Sequence, residues 1–137
     1  MRILVIDAQG GGVGKQLVSL IKQEIPDAFV TAVGTNSTAT AAMLKAGADA
    51  AATGENPVVV ACRDADVIAG PVGMIIADAL LGEITPKMAL AVSQSGAKRV
   101  LIPFDRCDNM IAGMPSLPTA ALLRDAVEKI KKICSDA

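Results

Sequence analysis

The chain has no histidine, tryptophan or tyrosine, and Phe29 and Phe104 are its only aromatic residues. Each absence removes a class of chemistry. Without histidine there is no imidazole general base, no Ser-His-Asp triad and no histidine-ligated metal. Two phenylalanines, both in strand-like runs, make no platform for stacking the bases of single-stranded nucleic acid. A formal net charge of −1 supplies no basic field to draw DNA, RNA or anionic lipid. The cysteines Cys62, Cys107 and Cys134 are odd in number, far apart and without a C-x-x-C pair, the usage of a reducing compartment. The run after Met1-Arg2 closes at Asp7, short of a signal-peptide core. The longest apolar stretch, Val67 to Ala77, holds Gly and Pro and meets Asp78 well before the ~20 residues of a membrane span. The expectation is a cytoplasmic protein with neither nucleic acid nor membrane as partner, and with no metal site.

What the chain does have is alternation. Its 137 residues, 52% of them apolar, are enough for one domain that buries roughly two-thirds of its unfolded surface. Ile3-Leu4-Val5-Ile6 is a continuous apolar run, as in a strand covered on both faces of a parallel sheet. Helical spacing follows from Val13 to Ile25, where Pro26 stops it. Phe29–Val33 reads as a strand, Thr38–Ala46 as a helix capped by Asn36 or Ser37 and closed by Gly47, and Ala48–Thr53 as a weak third strand. A helix starting at Asn56-Pro57 runs through Cys62, although Val58-Val59-Val60 leaves its type open. Asp66–Ala69 is a fourth strand, Met74–Leu81 a helix ended by Gly82, and Lys87–Ser93 a helix entered through Thr85-Pro86. Arg99–Ile102 is a fifth strand, and Asn109–Ala112 suits a short returning edge strand. The last helix carries Ala120, Leu123, Val127, Ile130 and Cys134 on one stripe. This order predicts a single α/β domain over 1–137, with an open, mostly parallel, doubly wound (Rossmann-like) sheet.

The segment with most chemical content is Asp7-Ala8-Gln9-Gly10-Gly11-Gly12-Val13-Gly14-Lys15, directly after the first strand. A strand, a glycine-rich turn and a helix N-terminus together bring backbone N–H groups and a positive dipole end to an anion. In a doubly wound sheet the ligand crevice opens where strand order reverses, between strands one and four. Strand four ends in Gly70-Pro71-Val72-Gly73, so two glycine turns are expected to flank that crevice. As a dinucleotide fingerprint the register Gln9-x-Gly11-x-x-Gly14 puts Gln9 where the first glycine belongs. Gly34-Thr35-Asn36-Ser37 stands where a ribose-binding acid is expected. As a nucleoside-triphosphatase loop it keeps Gly14-Lys15, but Gln16 replaces the hydroxyl that holds Mg²⁺. The candidate binding residues are Gln9, Gly10, Gly11, Gly12, Val13, Gly14, Lys15, Thr35, Asn36, Gly70, Gly73 and Arg106. Lys15 would be the fixed cation and Arg106 the mobile one. Thr35 and Asn36 read first as helix caps and second as ligand contacts, and Asp105-Arg106-Cys107-Asp108-Asn109 reads first as a polar turn. Asp7 is read as a brace for the loop. Cys107 is read as a plain thiol, since the neighbouring aspartates oppose its ionisation.

The element order resembles a bacterial family of short Rossmann-like proteins known as a domain of unknown function. The likeness rests on Gln9-Gly10-Gly11-Gly12-Val13-Gly14, Gly70-Pro71-Val72-Gly73, Leu81-Gly82-Glu83-Ile84-Thr85-Pro86 and Leu101-Ile102-Pro103 through Arg106-Cys107. It implies the fold and no activity. The first part also resembles the nucleotide-binding half of NAD(P)-dependent enzymes, through Gly11, Val13 and Gly14. The leading reading is a module binding a nucleotide or phosphorylated metabolite, with NADP and a mononucleotide both open. Two others stand beside it: a small NAD(P)-dependent oxidoreductase or transferase, and a homo-oligomeric interaction protein whose loop is vestigial. A homodimer is compatible with all three.

Overall fold

Arg2 to Asp7 forms β1, and every residue after Arg2 is buried, because the strand is covered on both faces. The structure, a computed structural model, describes residues 1–104 and 108–137. Its further elements are α1 (Gly12–Glu24), β2 (Phe29–Gly34), α2 (Ser37–Lys45), β3 (Ala50–Thr53) and α3 (Glu55–Asp64). They continue with β4 (Val67–Pro71), a 3₁₀ turn (Val72–Ile75), α4 (Pro86–Gln94), β5 (Lys98–Ile102) and α5 (Thr119–Ser135). The strands lie in the order β3-β2-β1-β4-β5, all parallel. Strand order therefore reverses between β1 and β4, where Ile3 pairs with Val67 and Val5 with Ala69.

Alternation along β1 divides the core in two. Ile3 and Val5 point to a layer with Leu17 and Ile21 of α1, Met43 of α2, and Leu123 and Ile130 of α5. Leu4 and Ile6 point to the opposite layer with Val58 and Cys62 of α3, and Met88 and Val92 of α4. Complete burial of a Leu or Ile side chain contributes about 1.5–3 kcal/mol, so these two layers fix the position of every strand end.

Two expectations are corrected. Met74–Leu81 is not an α-helix: after the 3₁₀ turn the chain makes successive turns over 77–83. Asp78, Leu80 and Leu81 have φ of +64°, +57° and +58°, left-handed values that no right-handed helix accommodates. Met74, Ala79, Leu80 and Ile84 are nonetheless buried, so their spacing reported burial and not helix. The returning edge strand at Asn109–Ala112 also does not form. That segment is irregular, Met110 is 98% exposed, and the following Gly113 turns the chain with φ +77°. Among the described residues the sheet is entirely parallel and β5 is one of its edges.

Candidate functional site

The chain leaves β1 through two left-handed residues, Gln9 at φ +51° and Gly11 at φ +74°. Gln9 thus adopts the backbone shape that a glycine usually supplies at this turn. The Asp7 carboxylate holds the loop. Asp7 Oδ1 accepts the N–H of Ala8 at 2.8 Å and Oδ2 that of Gly14 at 2.6 Å, so the side chain braces both ends of the turn. Burial pushes the Asp7 carboxyl above its ordinary value; the two backbone donors work against this and the charge of Glu83 adds to it.

The four glycines of the loop divide by what surrounds them. A Cβ at Gly11 would lie 2.8 Å from Ala39 Cα, and one at Gly14 would lie 2.6 Å from Met43 Sδ and 2.7 Å from Asp7 Cβ. Both are needed for α1 to approach β1 and α2. At Gly10 and Gly12 a Cβ would meet nothing within 4 Å, and neither has a positive φ. Nothing within the described chain demands glycine at these two positions. Gly11 donates to Ala8 O, Lys15 to Gly11 O, Gly14 to Asp7 and Gln9 to Glu83. Among the described residues the N–H groups of Gly10, Gly12 and Val13 then have no acceptor in the protein.

These N–H groups belong to residues of a cleft of about 390 Å³, bounded on the loop side by Gln9 to Val13 and Gln16. Its other wall is Pro71 at the end of β4, Leu80, Phe104 after β5, and Thr119, the first residue of α5. Two helices, α1 and α5, therefore begin at this cleft, and two positive dipole ends meet there. Gln16 turns its amide back onto Gly12 O at 3.1 Å, where a triphosphatase loop would present a hydroxyl to Mg²⁺.

The remaining candidates among the described residues lie elsewhere. Lys15 is on the far side of the loop, where it lines a separate groove with Lys45 of α2 and Arg124 of α5. Gly70 is packed against Ile6, whose carbonyl oxygen a Cβ would approach to 2.4 Å, and Gly73 is buried in the 3₁₀ turn. Asn36 caps α2 through Ala39 N at 2.9 Å. Arg106, with Asp105 and Cys107, lies outside the described residues. Burial pushes the Cys62 thiol to about 11, which leaves it inert at neutral pH. Among the described residues no three Cys, Asp or Glu side chains are grouped to hold a metal ion.

Sequence reading missed Glu83. One of its oxygens, Oε1, accepts from Thr35 Oγ1 at 2.6 Å, Asn36 Nδ2 at 2.7 Å and Gln9 N at 3.0 Å. Burial works to raise the Glu83 carboxyl, but the bonds from Thr35, Gln9 and Asn36 together outweigh it and hold it below its ordinary value. Thr35 and Asn36 thus serve a carboxylate of the chain itself. Sequence reading also missed Phe104, Leu80 and Thr119; of these only Thr119, directly after Pro118, carried a signal, that of a helix start.

A family model described as Domain of unknown function (DUF3842) matches residues 2–135. The chain belongs to this family. Among curated proteins nothing matches. Among solved structures, the chain is similar to a dodecameric FMN-dependent Ubix-like decarboxylase from Escherichia coli O157:H7. The two share 13% identity over 96% of this chain and 95% of that one, with a TM-score of 0.46. No helix among the described residues is long and apolar enough to cross a membrane.

Proposed function

We propose that this domain is a binding module for a small phosphate-bearing molecule, held by the loop Gln9 to Val13 with its organic part in the cleft toward Phe104. The observation that carries the reading is the pair Gly10 and Gly12. They are glycines in open space, with N–H groups that have no acceptor among the described residues, on the wall of a cleft at which two helices begin. The cleft offers a catalytic step little: Asp7 spends both oxygens on backbone N–H groups, and the chain has no histidine. Binding without chemistry is therefore favoured over a reductase or transferase.

A thermal-shift panel of inorganic phosphate, mononucleotides, sugar phosphates and dinucleotides tests this. A compound at ~100 times its dissociation constant adds about 2.7 kcal/mol of stability, which raises the melting point by several degrees. Gly12→Val should abolish that rise while leaving the unliganded melting point within a few degrees, because the added bulk enters space no described residue fills. A panel that leaves the wild-type melting point unmoved sinks the proposal.

Assembly into a homodimer belongs to the same proposal. Beside α3 the sheet carries an open groove lined by Thr31, Ala52, Pro57 and Val60, with Val60 44% exposed. Phe29, 45% exposed, lies under the guanidinium of Arg2, which lines the same groove. A second copy of this chain is the occupant proposed for this face.

A further inference from the structure

A dinucleotide in a doubly wound sheet places its second nucleoside over the end of β2, where a side chain from that strand end holds the ribose. In this chain that place is filled from another element. Glu83, on the segment between β4 and α4, reaches across the end of β1 and collects Thr35, Asn36 and the N–H of Gln9 on one carboxylate oxygen. The segment that carries it is closed on itself. Asp78 N donates to Ile84 O at 2.7 Å and Ile84 N to Ala79 O at 3.2 Å, and its apolar residues Ala79, Leu80 and Ile84 are buried in the core. The Glu83 carboxylate is thus delivered by a packed element. The cleft at the glycine loop opens the other way, toward Pro71, Leu80, Phe104 and Thr119, and neither Thr35, Asn36 nor Glu83 lines it.

The geometry points to Glu83 as the residue that sets the ligand class: it closes the β2 side of the crevice, admits a phosphate monoester with a single organic group, and excludes a dinucleotide. This rests on the loop as the phosphate site. Three donors that would otherwise serve a ribose or a 2′-phosphate are already satisfied by Glu83. A fixed negative charge at that place also repels a 2′-phosphate, so NADP is the dinucleotide most strongly refused. About 390 Å³ lies near the small end of ligand sites and suits one organic group.

Isothermal titration of the wild type, Glu83→Ala and Glu83→Gln with inorganic phosphate, AMP, ribose 5-phosphate, FMN, NAD and NADP tests the assignment. The wild type should bind at least one monoester ten times more tightly than either dinucleotide. Glu83→Ala should raise affinity for NADP at least tenfold, about 1.4 kcal/mol, and leave the best monoester within about twofold. Glu83→Gln keeps an acceptor oxygen for the three donors, so it retains the fold if Glu83→Ala does not, and should still gain affinity for NADP from loss of the charge. Wild-type binding of NAD or NADP equal to that of every monoester overturns the inference. So does weaker NAD binding by either variant, which would make Glu83 an acceptor for ribose hydroxyls. A wild type that binds neither phosphate nor any monoester removes the loop reading as well. Monoester binding lost on Gly12→Val, together with dinucleotide binding of equal strength, removes this inference alone.

Discussion

Gly12 and Gly14 stand two positions apart on the first turn of α1, and they answer to different demands. Gly14→Ala would drive a methyl group into Met43 Sδ and the Asp7 side chain, so it should destabilise the fold by about 1–3 kcal/mol, the range for overpacking. Gly12→Ala meets nothing and should stay within about 0.5 kcal/mol of wild type. Paired urea titrations check this, and equal losses at both positions would remove the division between structural and ligand-facing glycines. Asp7 provides a second residue-scale test. Asp7→Asn must turn an amide NH₂ toward one of two N–H donors and should cost about 1–3 kcal/mol. Burial raises the folded-state pKa of Asp7 above 3.8, so the folded protein holds this proton more tightly than the unfolded chain. Its contribution is therefore fully present below 3.8 and is lost as pH rises through the raised value. The stability difference between wild type and Asp7→Asn, followed by urea unfolding across acid pH, should fall with rising pH over that window. The opposite slope would mean that the two backbone bonds outweigh burial.

At the scale of elements, legibility followed how local the cause was. β1, α1, α2 and α5 are set by runs, stripes and caps within a dozen or so residues. Asn36 and Gly47 stand where a cap and a helix-ending glycine were expected, with Asn36 bonded to Ala39 N and Gly47 at φ +117°. The helix expected over Met74–Leu81 does not form: Met74, Ala79 and Leu80 carry an apolar spacing that helices and buried irregular turns share. Nothing in the residue types of Leu80 and Leu81 announces a left-handed backbone. Glu83 was illegible for a different reason. Its partners Thr35 and Gln9 lie 48 and 74 positions away, and only the strand order brings them together. The glycine loop was read from sequence as one block. Its division into packed and open glycines depends on the Ala39 backbone and the Met43 side chain, both on a helix two elements on.

For the molecule as a whole, the sheet puts the candidate cleft at one end of β1 and β4 and leaves the face beside α3 partly bare. Exposed apolar side chains scattered singly need no partner. Val60 instead lines a groove together with Arg2, whose guanidinium covers Phe29, and the adjacent edge strand β3 consists of Ala50, Ala51, Ala52 and Thr53, with no bulky or charged side chain to discourage contact. A C₂ pair covering that face is self-complementary. Light scattering on the purified chain should give the mass of two copies, and Val60→Glu should return the mass of one without loss of ligand binding. A single-copy mass for the wild type would remove the dimer and leave the cleft untouched.

The all-parallel order also dictates a timetable for folding. Among the described residues no strand pairs with a neighbour through a hairpin, so each ladder waits for a complete crossover to be formed. β1 is paired on one side by Phe29–Gly34, but its other side stays open until Val67–Ala69 is available. β1, the first strand in the chain, is therefore not enclosed until β4 follows it. Long-range closures of this kind slow folding and leave an apolar edge open to the wrong partner in the meantime. During synthesis on the ribosome, Ile3 to Ile6 is the stretch a holding chaperone would have most reason to cover.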